Sequence, residues 1–462
     1  MLKDFMKFSH FLIRNEDEIH FNSQYDLWRN EHSDETGKYM SMDEEYFIHQ
    51  EQSTPCLNVL KEAYGIYLED IEGRKYMDFH GNNMHLLGYR NPRIIQAIKN
   101  TIDKLSFCPG KYTNIYAIEL ARKLIALSPK KLNKVIFAPG GLEVNSMALK
   151  LARIITGRRR IITMWDSYHG ATLDNICLGR EPIFCRDWNT LLTGVEHVPG
   201  FNRYRGFLND HPRGEMIYAD YIEYILEKED DIGALMAETI RNTDVQIPSK
   251  NFWKRIRELC DHYNVLLILD EIPIGLGRTG KFFAFENFDI VPDIVTVGKG
   301  LGGEIFPFAV LFTRDEFKMG PLPSESYFTL EKSPLGAVAA LETIDYIEKE
   351  KILSHVSKLE GYIRGRFLHM RGKYEIIGDV RGIGLLWGVE LVKDRKTKDK
   401  AEEITESIMF NCLRRGLNLK ITQGNIINFT PPLIISEREL DNAFEILENA
   451  IYEVNSLNQQ QP

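Results

Sequence analysis

The six cysteines, Cys56, Cys108, Cys177, Cys185, Cys260 and Cys412, form no CxxC pair and have no histidines at metal-ligand spacing. Such scatter argues against a zinc site or a disulfide framework, and the thiols are expected to be reduced, as in cytosolic enzymes. Long apolar runs are also missing. The run Val265–Leu269 (VLLIL) reads as one buried strand, far short of the roughly 20 residues a membrane helix needs. The opening MLKDFMKFSHFLIRNEDE is broken by charges and lacks a cleavage site, so a signal peptide is not expected and the protein reads as soluble and cytoplasmic. Basic blocks are lacking beyond Arg158-Arg159-Arg160, which is expected to be a solvated turn. With a net charge of −9 and a pI near 5.8, nucleic acid is excluded as a main partner. There is no internal repeat, and only the polar tail NSLNQQQP is expected to fray.

What is present belongs to an ordinary soluble globular protein. Hydrophobic residues make up 44% of the chain and charged ones 27%, and 462 residues suffice for two or three packed substructures. Between about 100 and 320, short β-branched runs (KVIFAPGG, RIITMWDS, ALMAE, VLLILDE, DIVTVGKG) alternate with amphipathic stretches (SMALKLARII, FWKRIRELCDHY), the pattern of a mostly parallel sheet wrapped by helices. Beyond about 335 the order becomes helix, helix, strand (GIGLLWGVEL), helix and strand (NIINFT), which fits a smaller α/β domain. A hairpin turning at Gly73 is expected to join that lobe. The division expected is residues 1–100 packing with the small domain, 101–335 as the large domain, 336–455 as the small domain and 456–462 as a tail.

Four segments carry chemistry. In LLILDEIPIGLGRTG a buried strand delivers Asp270 to the carboxyl edge of the sheet, where open α/β folds bind ligands. The acid needs a partner there, and a pyridinium would supply one, although an ion pair or helix cap would also serve. In PDIVTVGKGLGG another strand ends in Lys299 among glycines that let backbone approach a ligand closely. A lysine in a water-poor pocket has the lowered pKa that imine formation and proton shuttling need, and the GxxxxGK[ST] pattern of a phosphate-binding loop is absent. FAPGGLEVNSMALKLAR places Gly140-Gly141 at a helix N-terminus, where free backbone N–H groups suit an anion. MWDSYHGAT sets Tyr168 and His169 after a strand, for stacking on a flat cofactor or for core packing.

In this order the segments resemble the class III aminotransferases of pyridoxal 5′-phosphate (PLP) fold type I, over residues 45–450, and LLILDEIPIGLGRTGKFFAFENFDIVPDIVTVGKGLGG is similar to the family signature throughout. The resemblance implies a large domain with a mostly parallel seven-stranded sheet plus a smaller α/β domain built from both chain ends. It gives Lys299 the Schiff-base role and Asp270 the pyridine nitrogen. Gly141 and Leu142 would bind the phosphate through backbone amides, Tyr168 would stack on the ring, and Glu238 would lie beside the site. Thr329 would reach the phosphate of a neighbouring subunit, so a homodimer is implied. No metal is expected.

Departures from the family pattern bear on the substrate. Leu142 replaces a Ser or Thr, and Pro273 replaces a glutamine that donates toward the cofactor. Asn428 stands where many members carry the arginine that grips a substrate carboxylate in a bidentate fork. Arg241 and Lys332 appear where other members are uncharged, as substrate-anion contacts or as structural ion pairs; Asn82, His80 and Lys111 are weaker candidates. The segments STPCLN, FHGNNMHLLGY, FCPGKYTN, MWDSYHG, AETIRNT and TLEKSP look like the branch of ammonia-lyases acting on (R)-1-hydroxy-2-aminoethylphosphonate. The alternative activity is an ω-aminotransferase using a keto acid. A silent PLP-binding regulator is disfavoured by intact Lys299 and Asp270 and by the lack of an appended DNA-binding segment.

Overall fold

The computed structural model describes residues 24–48, 56–181, 194–208, 211–317 and 328–458. The leader reading of the first residues, Cys185, the first three residues of STPCLN and the end of the polar tail lie outside the described residues. Among the described residues Cys56, Cys108, Cys260 and Cys412 are free thiols. Among the described residues no helix is long and apolar enough to cross a membrane, and no cluster of His, Cys, Asp and Glu could hold a metal ion.

Near the N-terminus β1 (Leu60–Tyr64), β2 (Tyr67–Asp70) and β3 (Lys75–Asp78) form an antiparallel meander. Its second turn places Gly73 at φ 82, as the expected hairpin requires.

The central sheet has seven strands: β4 (Lys134–Ala138), β5 (Arg160–Met164), β6 (Val195–Val198), β7 (Ile232–Glu238), β8 (Leu266–Asp270), β9 (Ile294–Val297) and β10 (Ala309–Thr313). Their order is β4-β10-β9-β8-β7-β5-β6. All neighbours from β9 to β6 run parallel, and β10 is antiparallel to both β4 and β9. Every residue of β7, β8 and β9 is buried, because helices cover both faces. Along β8 the side chains alternate between two cores. Ile268 packs with Val144, Ala148 and Leu151 of the helix Gly141–Thr156, whereas Leu267 and Leu269 pack with Trp253 and Ile256 of the helix Lys250–Tyr263. That second helix starts at Ser249, whose hydroxyl accepts from Phe252 N at 3.2 Å, and ends at Asn264 in the left-handed region.

The C-terminal part adds β11 (Ile377–Ile383), β12 (Leu386–Leu391), β13 (Leu417–Asn418), β14 (Lys420–Thr422) and β15 (Ile426–Phe429). The order β11-β12-β15-β14 makes an antiparallel sheet, while β13 pairs parallel with β3, Leu417 opposite Met77. Strands from near the two ends of the chain thus share one sheet.

Two sequence expectations need correction. GIGLLWGVEL is not one strand: Gly384, at φ 56, turns the chain between β11 and β12. Nor is the arginine triplet a solvated turn. Arg160 lies within β5 and pairs with Glu196 and Glu229, and Arg158 Nη1 donates to the carbonyls of Ile232 and Tyr263 at 3.0 and 3.1 Å. The guanidinium groups of Arg158 and Arg160 find acceptors on adjacent elements, and the exposed Arg159 is tied through its backbone N–H to Asp231 Oδ1 at 3.0 Å.

Candidate active site

The site is built on the carboxyl edge of the central sheet. Parallel pairing puts Glu238, the last residue of β7, opposite Asp270, the last residue of β8, and Asp270 in turn opposite Thr296 of β9. Both carboxylates are buried, which would be costly without donors. Asp270 has three: Oδ2 accepts from Asn145 Nδ2 and pairs with His169 Nδ1, both at 2.8 Å, and Oδ1 accepts from the backbone N–H of Ile272 at 3.0 Å. Asn145 is itself fixed, since its Nδ2 also donates to the His169 carbonyl at 2.9 Å and its Oδ1 accepts from Thr296 Oγ1 at 2.8 Å. Helix, strand and loop therefore hold the carboxylate in one orientation.

Glu238 does a different job. Its Oε1 accepts from the Tyr168 backbone N–H at 3.1 Å and its Oε2 from the Asn242 N–H at 2.9 Å, so it clamps the loops after β5 and β7 together. Burial raises the pKa of this carboxyl, and the two N–H donors and nearby His169 act against that rise. Glu271, next to Asp270 in sequence, turns away from the edge and accepts from Thr239 Oγ1 and from the N–H groups of Ala284 and Phe285. The two acids of the DE pair thus serve site and scaffold separately.

Lys299 follows β9 and adopts φ 50, a left-handed conformation unusual outside glycine. The turn is crowded: a Cβ on Gly300 would come within 2.4 Å of Leu86 Cδ1 and 3.1 Å of the Met84 carbonyl, so only glycine admits that segment. Burial and, after it, the positive charge of Lys420 lower the Lys299 pKa to about 8 against the pull of Asp270 and Glu238. The neutral form of the amine is correspondingly easier to reach near neutral pH.

The helix Gly141–Thr156 begins at this edge with Gly140 extended and no side chain capping its first turn. The amides of Gly141 and Leu142 are therefore at a helix start, suited to an anion. The cradle is narrow. Gly170, at φ 124, faces Leu142, and a Cβ there would lie 2.8 Å from Leu142 Cβ. Tyr168 is part-exposed beside it. An anion-binding helix start, an accessible aromatic, an oriented buried carboxylate and a lysine of lowered pKa together fit a flat cationic heteroaromatic ring bearing a phosphate.

The other expected contacts are distributed less favourably. Arg241 forms a bidentate pair with Asp244, Nε to Oδ1 at 2.6 Å and Nη2 to Oδ2 at 2.7 Å, so the geometry realises the structural ion pair weighed for it; any substrate anion must compete with Asp244. Asn428 Nδ2 donates to the Thr243 carbonyl at 3.2 Å and to Thr422 Oγ1 at 3.0 Å. Asn82 is exposed in a left-handed turn, and its neighbour Asn83 reaches Asn242 Oδ1 at 3.1 Å. Lys332 is half-buried, and its carbonyl accepts from Asn114 Nδ2 at 2.9 Å. Lys111 and Thr329 are exposed. His80 is packed in, with its pKa pushed down to about 4 by burial and by the charge of Lys420, and its Nε2 has no hydrogen-bond partner among the described residues.

Sequence reasoning missed Asn145 and Lys420. Asn145 sits one turn into the helix after Gly140-Gly141, a place that shows in sequence only as a polar residue on an otherwise buried face. Lys420 could have been found from the Gln423-Gly424 turn, both residues at positive φ, which folds LNLKIT onto NIINFT and sets Lys420 opposite Asn428.

Comparison with known proteins agrees with this geometry. A family model, aminotransferase class-III, matches residues 48–451. An (R)-1-hydroxy-2-aminoethylphosphonate ammonia-lyase from Vibrio splendidus is 45% identical over 465 residues, 97% of each chain. A leucine/methionine racemase from Thermococcus litoralis is 35% identical over 83% of this chain and 88% of its own. Among solved structures, a taurine:2-oxoglutarate aminotransferase from Bifidobacterium kashiwanohense, in complex with PLP and glutamate, superposes with a TM-score of 0.85 at 26% identity, covering 91% of this chain and 98% of that one. The chain belongs to the class III aminotransferase family, and its cofactor is pyridoxal 5′-phosphate.

Proposed function

We propose that the protein is an ammonia-lyase converting (R)-1-hydroxy-2-aminoethylphosphonate to phosphonoacetaldehyde and ammonia, working as a cytoplasmic homodimer. The single observation that carries the substrate is the near end-to-end similarity to the Vibrio ammonia-lyase. The engagement of Asn428 with Thr243 and Thr422, in place of an arginine fork, supports an anion other than the usual α-carboxylate.

PLP, when bound, supplies an electron sink conjugated to the substrate's amine. Lys299 would hold the cofactor, and its Nζ, with a pKa lowered to about 8, would take a proton from the substrate's amine-bearing carbon. Asp270, oriented by Asn145, His169 and the Ile272 N–H, holds the proton on the ring nitrogen. The amides of Gly141 and Leu142 would bind the phosphate and Tyr168 would stack on the ring, while Glu238 keeps the Tyr168 loop in place. Loss of the β-hydroxyl as water and addition of water to the resulting enamine give ammonia and aldehyde, with no net oxidation. The exposure of Thr329 and adjoining Leu330 supports their use at a neighbouring subunit.

The test is turnover without an amino acceptor. Enzyme incubated with the hydroxyaminophosphonate and no keto acid should release ammonia and aldehyde for many cycles. The close structural likeness to transaminases favours the rival, an ω-aminotransferase, and strict dependence on a keto acid would establish it instead.

A further inference from the structure

The antiparallel register of β14 and β15 sets Lys420 directly across from Asn428. Residues opposite one another share a face, with Cβ atoms about 5 Å apart. That face looks toward the loop following β7, because Asn428 Nδ2 and Thr422 Oγ1 both donate to the Thr243 carbonyl. The Lys420 charge is felt by Lys299 and His80, which it pushes toward their neutral forms, so its ammonium lies on the site side of the small sheet. Glu181 is the acid whose charge acts on Lys420. His80 adds an Nε2 without a hydrogen-bond partner among the described residues in the same neighbourhood.

We infer that Lys420 is the contact for the substrate's anionic group, supplying from the neighbouring strand the positive charge that Asn428 lacks, with His80 Nε2 as a second hydrogen-bonding atom. The inference rests on the reading of the substrate as a phosphonate and names the residue that selects it. A lysine here keeps the positive charge in another form: a guanidinium forks onto carboxylate or phosphate oxygens with two parallel N–H groups, whereas an ammonium serves a tetrahedral oxyanion as a compact point charge with three donors. A lysine packed in this way also pays desolvation that a dianionic group would offset. Arg241 is committed to Asp244 and does not offer the same free charge.

The experiment measures calorimetric binding of methylphosphonate to the PLP-loaded enzyme and to its K420Q and K420R variants, with melting curves and cofactor absorbance reporting that each is folded and loaded. Lys420→Gln should weaken methylphosphonate binding at least about tenfold while leaving ethanolamine binding within about threefold, and Lys420→Arg should restore most of the loss. Equal methylphosphonate binding by wild type and K420Q overturns the inference, and so does failure of the wild type to bind it. A Lys420 that only pairs with Glu181 would lower the melting temperature of K420Q without changing anion affinity, which also counts against the proposal. Lack of acceptor-free ammonia release from the wild type refutes the lyase reading alone, since methylphosphonate binding is read without turnover.

Discussion

His169 Nδ1 lies 2.8 Å from Asp270 Oδ2, within a pair whose side chains are almost wholly removed from solvent. The histidine orients the Asp270 carboxylate at the sheet edge, and Asn145 shares the task from the helix Gly141–Thr156.

Positioning and charge should separate by mutation. With the role proposed for Asp270, Asp270→Asn would remove the charge that holds the ring nitrogen's proton and should lower kcat by about 10²–10³-fold. His169→Phe keeps the charge but frees the carboxylate, so a smaller loss, about tenfold, is expected, together with a shifted visible cofactor spectrum. A spectrum unchanged in H169F would reduce His169 to packing.

The Lys299 amine should titrate near pH 8 in the cofactor-free protein. Because its pKa is lowered first by burial and then by Lys420, the neutral fraction grows as pH rises through that value. The rate at which apoprotein binds PLP covalently should follow the same curve. In Lys420→Gln the midpoint should move upward, so reconstitution at pH 7.5 should slow; an unmoved midpoint would place Lys420 outside the electrostatic reach of Lys299.

Arg241 and Asp244 are expected to be coupled strongly. Burial alone would favour their neutral forms, but the Asp244 carboxylate raises the Arg241 pKa and Arg241 lowers that of Asp244. Arg241→Met leaves a buried uncompensated acid and should cost about 3–5 kcal/mol of stability, while R241M with D244L should recover much of it. Denaturant melts of the two variants decide the point. If the single variant is as stable as wild type, the pair is not the structural element seen here.

Glu304 offers a pH test. Its Oε1 accepts from the Leu87 N–H at 3.2 Å, its Oε2 has no partner among the described residues, and burial raises its pKa to about 8. A carboxyl with a raised folded pKa contributes fully below its unfolded value and loses that contribution as pH climbs through the folded one. Glu304→Gln mimics the protonated form at every pH. Its melting temperature should therefore match wild type near pH 4.5 and exceed it increasingly up to pH 8, by on the order of 1–3 °C. A pH-independent difference would mean that this carboxyl does not titrate in the window.

The sequence by itself determined the parallel strands, the delivery of Asp270 and Lys299 to one sheet edge, and the helix start at Gly141. Each follows from local pattern: a continuous apolar run ends in a polar residue, and glycines punctuate the turn. The family signature extended those assignments to Glu238, Tyr168 and Thr329. What only the tertiary structure decided are relations between segments far apart in the chain. Asn145 meets Asp270 because a helix crosses the sheet; Arg241 is taken by Asp244 because their side chains close on each other above β7; and Lys420 stands opposite Asn428 because a hairpin register sets them there. Local pattern specifies where a side chain leaves the backbone. Which partner it then finds depends on how layers pack and strands register, and that is where this site's charges were redistributed.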